Sequence, residues 1–170
     1  MPRSFDLATE YEGSVEQVHR TLRSEQYWLA RLADSGADDA TLDSMEVGDD
    51  GSIDVITTQV LRADRLPGFV TPFHPGDLSI QREEKWSPIR DGQATATVYG
   101  TLPGAPVSLS GEAVLAPAKT GRSSRLEFKA TVEVRVPLVG GKIENLIGNL
   151  LVDLLIAEQR FTTAWITEKA

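Results

Sequence analysis

The residues that could perform nucleophilic or metal chemistry are few. The sequence contains two histidines, His19 and His74, and no cysteine. Cysteine-based metal sites, thiolate nucleophiles and metal sites built on several histidines are therefore excluded. A Ser-His-Asp arrangement would have to use one of these two histidines, and we place His19 on the exposed side of a helix and His74 in a loop. We predict no catalytic residues and no cofactor.

Glu158 is the strongest candidate for a polar group that holds a ligand. Helical spacing places it beside Leu154 and Phe161 on an apolar stripe, where a carboxylate loses hydration unless it is paired. The alternative is that Glu158 lies at the flank of its helix in solvent, or that it pairs with Arg160 or another arginine.

An acidic stretch lies between Leu32 and Leu61, which contains no lysine or arginine. Its turn, Asp49-Asp50-Gly51, lacks the spaced oxygen ligands and the closing glutamate of an EF-hand calcium loop. We interpret the stretch as a solvated acidic edge and predict no metal site. The Asp-Gly pair instead favours a two-residue hairpin turn.

Charge and composition restrict the partners. The chain carries 17 lysines and arginines against 25 aspartates and glutamates, a net charge of -8 that repels nucleic-acid phosphates. Residues 1–6 show no apolar signal segment, and residues 146–156 are too short and too often interrupted for the roughly 20 apolar residues of a membrane span. We expect a cytoplasmic protein, since the lack of cysteine fits a reducing compartment.

Local patterns predict the elements that position these residues. Phe5, Leu7, Thr9 and Tyr11 alternate with charged and small residues, which is typical of a strand with one buried face. A capping box at Ser14 then predicts a short helix to about residue 23, and a second short helix follows.

Turn signals separate six further predicted strands. They begin near residue 41 and continue through residues 52–62, 78–86, 95–102, 107–115 and 125–136. Successive strands with short connections favour an antiparallel meander. Residues 142–168 contain no proline and carry a long apolar stripe, so they are predicted to form one long helix. We find no linker and predict one α+β domain over residues 1–170.

Aromatic side chains are candidates for a cavity wall. Trp86 and Tyr99 lie on predicted strands and Trp165 on the long helix, where each could border a cavity or simply fill the core. Residues 67–76 form a broken segment in which Phe69 and Phe73 could cover a pocket mouth with His74 near it. The alternative is a packed surface loop.

The order of elements resembles the helix-grip fold of the START, Bet v 1 and polyketide-cyclase (SRPBCC) superfamily. The resemblance is carried by the strand Phe5-Asp6-Leu7-Ala8-Thr9, the helix entry Ser14-Val15-Glu16-Gln17-Val18 and the helix entry Gly140-Gly141-Lys142-Ile143-Glu144. Within that superfamily the chain is most similar to an actinobacterial family of unknown function, DUF2505. The resemblance implies a curved antiparallel sheet of about seven strands around the long helix, with an apolar cavity between them.

These observations lead to a functional hypothesis. We expect the protein to bind or transport a hydrophobic small molecule such as a lipid, sterol, polyketide or aromatic compound, as a monomer or homodimer. The predicted ligand-binding residues are Phe69, Phe73, His74, Trp86, Tyr99, Leu150, Leu154, Glu158, Phe161 and Trp165. Two alternatives stay open: a cyclase or aromatase-like enzyme that uses a cavity acid or base, and an interaction domain whose apolar helix faces a partner chain.

The charge of the chain makes a first prediction. Because the net charge is -8 and no basic, aromatic-lined stripe is present, we expect no measurable affinity for DNA or RNA at physiological salt. A fluorescence titration with labelled single- and double-stranded oligonucleotides checks this. Submicromolar binding that weakens steeply as salt rises would contradict it.

Overall fold

The computed structural model describes residues 2–65, 76–119 and 122–169. The first strand, β1, is Arg3–Tyr11. Two short helices follow: α1 is Val15–Leu22 and α2 is Glu25–Asp34. The predicted capping box at the start of α1 is confirmed, because the Ser14 hydroxyl accepts from the Gln17 N–H at 3.2 Å and the Gln17 side chain accepts from the Ser14 N–H at 2.8 Å.

Six more strands form the predicted meander. They are β2 (Asp39–Val47), β3 (Ile53–Leu61), β4 (Leu78–Trp86), β5 (Ala94–Thr101), β6 (Val107–Pro117) and β7 (Ser124–Val134). The seven described strands make one antiparallel sheet in the order β1-β7-β6-β5-β4-β3-β2. The predicted fold class is therefore confirmed as a curved antiparallel sheet with two short helices after the first strand and a long helix at the end.

The connection between β2 and β3 is the predicted hairpin with one difference. The Gly48 N–H donates to the Ser52 carbonyl at 2.8 Å, so the loop spans three residues and not two. Gly51 carries the positive φ of 93° that closes this loop, a conformation that glycine adopts without a steric penalty.

The long helix, α3 (Gly140–Lys169), crosses the inner face of the sheet and packs most closely on β1 and β7. Glu144, near the start of α3, is fully buried and accepts a hydrogen bond from the Val134 N–H at 2.9 Å, which fixes the start of α3 on the end of β7. One turn later, Gly148 faces the Phe5 ring so closely that an added Cβ would lie 1.9 Å from the ring. No described helix is long and apolar enough to cross a bilayer.

The expected exposure of His19 is wrong. Its side chain is buried between α1 and the turn after β4, where Nε2 lies 2.9 Å from the Ser87 carbonyl oxygen. Helical spacing alone did not indicate this because the partner is distant in the sequence. His19 therefore has a structural hydrogen bond in place of a solvent-facing position.

The close approach of α3 to β1 makes a prediction about stability. Gly148→Ala should lower the free energy of unfolding by about 1–3 kcal/mol, because the new methyl group must displace the Phe5 ring. Alanine would otherwise stabilise a helix interior by about 1 kcal/mol relative to glycine. Chemical denaturation measures the difference.

Gly141→Ala is the matched control in the same helix. A Cβ there meets only the Arg3 guanidinium at 3.4 Å, which is ordinary contact, so this variant should be neutral or more stable. Adding Phe5→Leu to Gly148→Ala should recover part of the loss. Equal stability of the two alanine variants would contradict the packing account.

Candidate ligand cavity

A cavity of about 190 Å³ lies between the inner face of the sheet and the N-terminal half of α3. Its described lining is apolar apart from Gln59 and Arg82. The strands β3 to β7 and their connections contribute Gln59, Leu61, Leu78, Ile80, Arg82, Gly100, Leu102, Ala105, Pro106, Val107, Leu109, Val134 and Val136, and α3 contributes Ile143, Leu146, Ile147, Leu150, Leu151 and Leu154.

The cavity exists because the space between α3 and the sheet is filled unequally. The inward-facing residues of β5 are small: Ala94, Ala96, Val98 and Gly100. Under the C-terminal half of α3, large side chains occupy the space that these residues leave. Under its N-terminal half, no aromatic side chain belongs to the described cavity lining.

The filled half is an aromatic cluster. Tyr27 and Trp28 of α2 are fully buried, and the Tyr27 ring lies 6.0 Å from Phe161 and 5.7 Å from Trp165 between ring centroids. Trp86 at the end of β4 is buried in the same core. Trp86 and Trp165 therefore take the core position that the sequence left as an alternative. Phe161, predicted as a ligand-binding residue, packs in the same core, and the described cavity lining contains none of the three.

Four charged side chains separate the aromatic cluster from the cavity. Glu158 Oε2 lies 2.6 Å from Nη2 of Arg82 and 3.3 Å from Nη2 of Arg31. Glu84 Oε2 lies 3.2 Å from Nη2 of Arg31 and 3.3 Å from Nε of Arg82. All four are nearly excluded from solvent, with exposed side-chain fractions between 8% and 14%. We call them the charge cluster: Arg31 of α2, Arg82 and Glu84 of β4, and Glu158 of α3.

Neighbouring groups extend the charge cluster into the aromatic core. Arg31 Nη1 donates to the Tyr27 hydroxyl at 3.3 Å, and its guanidinium carbon lies 4.3 Å from the centroid of the Trp28 ring. The Tyr27 hydroxyl also shares a hydrogen bond with Thr162, one turn beyond Glu158. A buried charge is costly unless it is paired and hydrogen-bonded. The two glutamates and the Tyr27 hydroxyl supply the ion pairs and the hydrogen bonds of Arg31.

Electrostatics keep Glu158 and Arg82 of the charge cluster ionised. Burial opposes ionisation of Glu158, but the positive charges of Arg31 and Arg82 and a hydrogen bond from Arg82 outweigh it and hold the pKa of Glu158 below its ordinary value. Burial likewise opposes the charge of Arg82, yet Glu158 and Glu84 outweigh it and raise the pKa of Arg82. Each of these two charges therefore lies against partners of opposite sign within the cluster.

The other predicted site residues lie in different places. Leu150 and Leu154 line the cavity. Glu158 does not line the cavity. It pairs with Arg31 and Arg82, which is the alternative that the sequence left open. The suggested place of Tyr99 in the cavity wall is wrong: its side chain is 51% exposed, because it occupies an outward position of β5. Phe69, Phe73 and His74 lie outside the described residues.

Sequence reasoning missed Arg31, Arg82 and Glu84. The signal was present in β4, where Arg82 and Glu84 occupy the same alternating positions as Leu78, Ile80 and Trp86. If those apolar residues face inward, the two charged residues between them must face inward as well. An inward arginine and an inward glutamate on one strand indicate a buried ionic cluster.

The described residues contain no group of three or more His, Asp or Glu side chains placed to hold a metal ion. The acidic stretch instead makes local hydrogen bonds. Asp50 accepts from the Ser52 N–H at 3.0 Å, and Asp43 accepts from the Thr41 hydroxyl at 2.7 Å.

The chain belongs to the family described as "Protein of unknown function (DUF2505)", which matches residues 6–166. An uncharacterized protein of Mycobacterium tuberculosis is 52% identical over 171 residues, which cover 98% of each chain. The family resemblance seen in the sequence is therefore confirmed.

Solved structures show the same fold at low identity. An aromatase/cyclase from Streptomyces superposes with a TM-score of 0.65 at 9% identity, covering 99% of this chain and 96% of that one. A START superfamily protein from Mycobacterium smegmatis gives a TM-score of 0.56 at 12% identity, covering 98% and 99% of the two chains. A Thermus thermophilus protein gives 0.65 at 14% identity, covering 99% of each. The helix-grip fold follows from these likenesses.

The paired state of Glu158 makes a prediction about pH. A carboxylate whose pKa is lowered by folding stabilises the native state above its unfolded pKa, and this stabilisation is lost as the pH falls through the folded pKa. The free energy of unfolding should therefore fall below about pH 4.5, the ordinary pKa of this group. In Glu158→Gln the fall should be shallower, and at neutral pH the variant should be less stable by about 1–3 kcal/mol.

Urea denaturation at a series of pH values measures both effects. Glu112→Gln is the control, since Glu112 is exposed on the outer face of β6 and changes the net charge equally. Parallel pH profiles for Glu158→Gln and the wild type would contradict the coupling between Glu158 and the arginines.

Proposed function

We propose that this protein binds a small hydrophobic molecule in the cavity between the sheet and α3. The observation that carries the proposal is the cavity of about 190 Å³ with its apolar lining. Protein interiors are normally packed to the density of organic crystals, so an apolar space of this size forgoes many stabilising contacts. A bound apolar molecule would restore those contacts and remove its own surface from water.

The volume limits the size of the ligand. Buried apolar cavities of about 150 Å³ stay dry and accept benzene, while pockets for drug-sized ligands are about 300–1,000 Å³. A cavity of about 190 Å³ therefore suits one aromatic ring with a short chain, or a short acyl chain. Larger lipids or sterols would extend beyond this cavity.

The charge of the lining favours binding over acid–base catalysis. Arg82 is the only ionisable side chain among the described lining residues, and its pKa is raised. A cyclase of the kind considered from the sequence needs a group that gains or loses a proton near neutral pH. Arginine does not, so the described geometry supports a carrier, sensor or sequestering protein. One domain over residues 1–170 is sufficient for this role.

Filling the cavity should abolish binding without unfolding the chain. Leu154→Trp should weaken the affinity for isopentylbenzene at least about tenfold, because the indole occupies the space that the ligand needs. The free energy of unfolding should change by less than about 1 kcal/mol, whereas overpacking a dense core costs about 1–3 kcal/mol. Isothermal titration calorimetry and chemical denaturation measure the two quantities.

Asn149→Trp provides the matched control, since Asn149 is exposed on the same helix and does not line the cavity. It should bind isopentylbenzene like the wild type. Failure of the wild type to bind the hydrocarbon, together with marked destabilisation by Leu154→Trp, would reject the proposed function.

A further inference from the structure

Arg82 is the one charged group that the described cavity lining presents to a ligand, and Gln59 of β3, the other polar side chain, lies beside Ile80. Along β4 the inward residues run from Leu78 and Ile80, which line the apolar wall, to Arg82, whose side chain is 8% exposed. The backbone of Arg82 pairs with Gly100, which has no side chain to cover the guanidinium from the neighbouring strand. A molecule that fills the cavity therefore meets Arg82 at its inner end.

Two of the three guanidinium nitrogens of Arg82 lie against carboxylates of the charge cluster. Nη2 donates to Glu158, and Nε is enclosed 3.3 Å from Glu84 as an ion pair without a hydrogen bond. Nη1 has no hydrogen-bond partner among the described residues, and it is not one of their fully enclosed polar atoms that lack a partner. Its N–H groups are therefore available to an acceptor in the cavity.

The charge balance of the cluster determines which acceptor fits. Arg31 and Arg82 supply two positive charges, and Glu84 and Glu158 supply two negative charges within 3.3 Å of them. A carboxylate ligand would add a third negative charge to a nearly solvent-free site and leave it without a matching cation. A neutral carbonyl accepts the same hydrogen bond without this cost.

We propose that the cavity selects neutral apolar molecules that carry a carbonyl oxygen at their buried end, which accepts a hydrogen bond from Nη1 of Arg82. This inference rests on the proposed function and specifies its ligand class. Glu158 and Glu84 are positioning residues here: they neutralise Arg82, orient its guanidinium and exclude anionic ligands. Medium-chain or aryl ketones, aldehydes and amides fit this description, whereas the corresponding acids do not.

Three ligands of nearly equal shape test the proposal at neutral pH. Benzylacetone carries a ketone, hydrocinnamate carries a carboxylate in the same position, and isopentylbenzene carries a branched alkyl group there. Calorimetric titration of the wild-type protein should show benzylacetone binding at least about tenfold more tightly than hydrocinnamate. Equal or tighter binding of hydrocinnamate would overturn the inference, and absence of binding by both isopentylbenzene and benzylacetone would instead reject the proposed function.

Removing one carboxylate from the cluster should weaken or abolish the discrimination against a carboxylate ligand. Glu158→Gln leaves one uncompensated positive charge, so hydrocinnamate should bind at least about tenfold more tightly than it does to the wild type. Glu84→Gln makes the same charge change from β4 and serves if Glu158→Gln does not fold. Glu112→Gln on the outer face of the sheet should leave both affinities unchanged.

This change in the ratio of affinities separates charge selection from a purely steric effect. Both glutamines preserve the size of the side chain, so a cavity that selects by shape alone would keep the wild-type ratio of affinities. An unchanged ratio in a folded Glu158→Gln or Glu84→Gln variant would overturn the inference. The same ratio change in Glu112→Gln would also overturn it, since that result would reflect the net charge of the protein.

Discussion

The charge cluster is the contact on which the arrangement of this molecule depends. It joins α2, β4 and α3 through Arg31, Arg82, Glu84 and Glu158, which lie far apart in the sequence. Buried ion pairs add little net stability compared with apolar packing, but each charge becomes costly when its partner is removed. The cluster thereby penalises any other placement of α3 on the sheet.

The position of the cluster also divides the interior into two halves. On one side, Tyr27, Trp28, Phe161 and Trp165 pack against one another and fill the space beneath α3. On the other side, the small inward residues of β5 and the leucines of α3 enclose a cavity. The charge cluster lies between this cavity and the aromatic cluster, and its Arg82 gives the cavity a polar inner end.

The sequence predicted the elements well, because their signals are local. The bounds of β4 were predicted as Leu78–Trp86, and the capping box at Ser14 marked the start of α1. The faces of the elements were harder to predict. In β5, threonines alternate with Ala94, Ala96 and Val98, and Tyr99 lies on the threonine side, but its size led to the prediction of a cavity wall.

Long-range contacts could not be predicted from local patterns. The burial of His19 depends on the Ser87 carbonyl, which lies 68 residues further along the chain. The pairing of Glu158 depends on two arginines from separate elements. A sequence pattern can show that a charge faces inward, but only the packed structure shows which partner neutralises it.

A crystal structure of the protein saturated with benzylacetone is the most direct test of the account. The predicted result is a phenyl ring between the leucines of α3 and the sheet, with the ketone oxygen within hydrogen-bond distance of Nη1 of Arg82. Density for the ligand only on the outer surface, or a cavity closed by the lining side chains at full saturation, would contradict it.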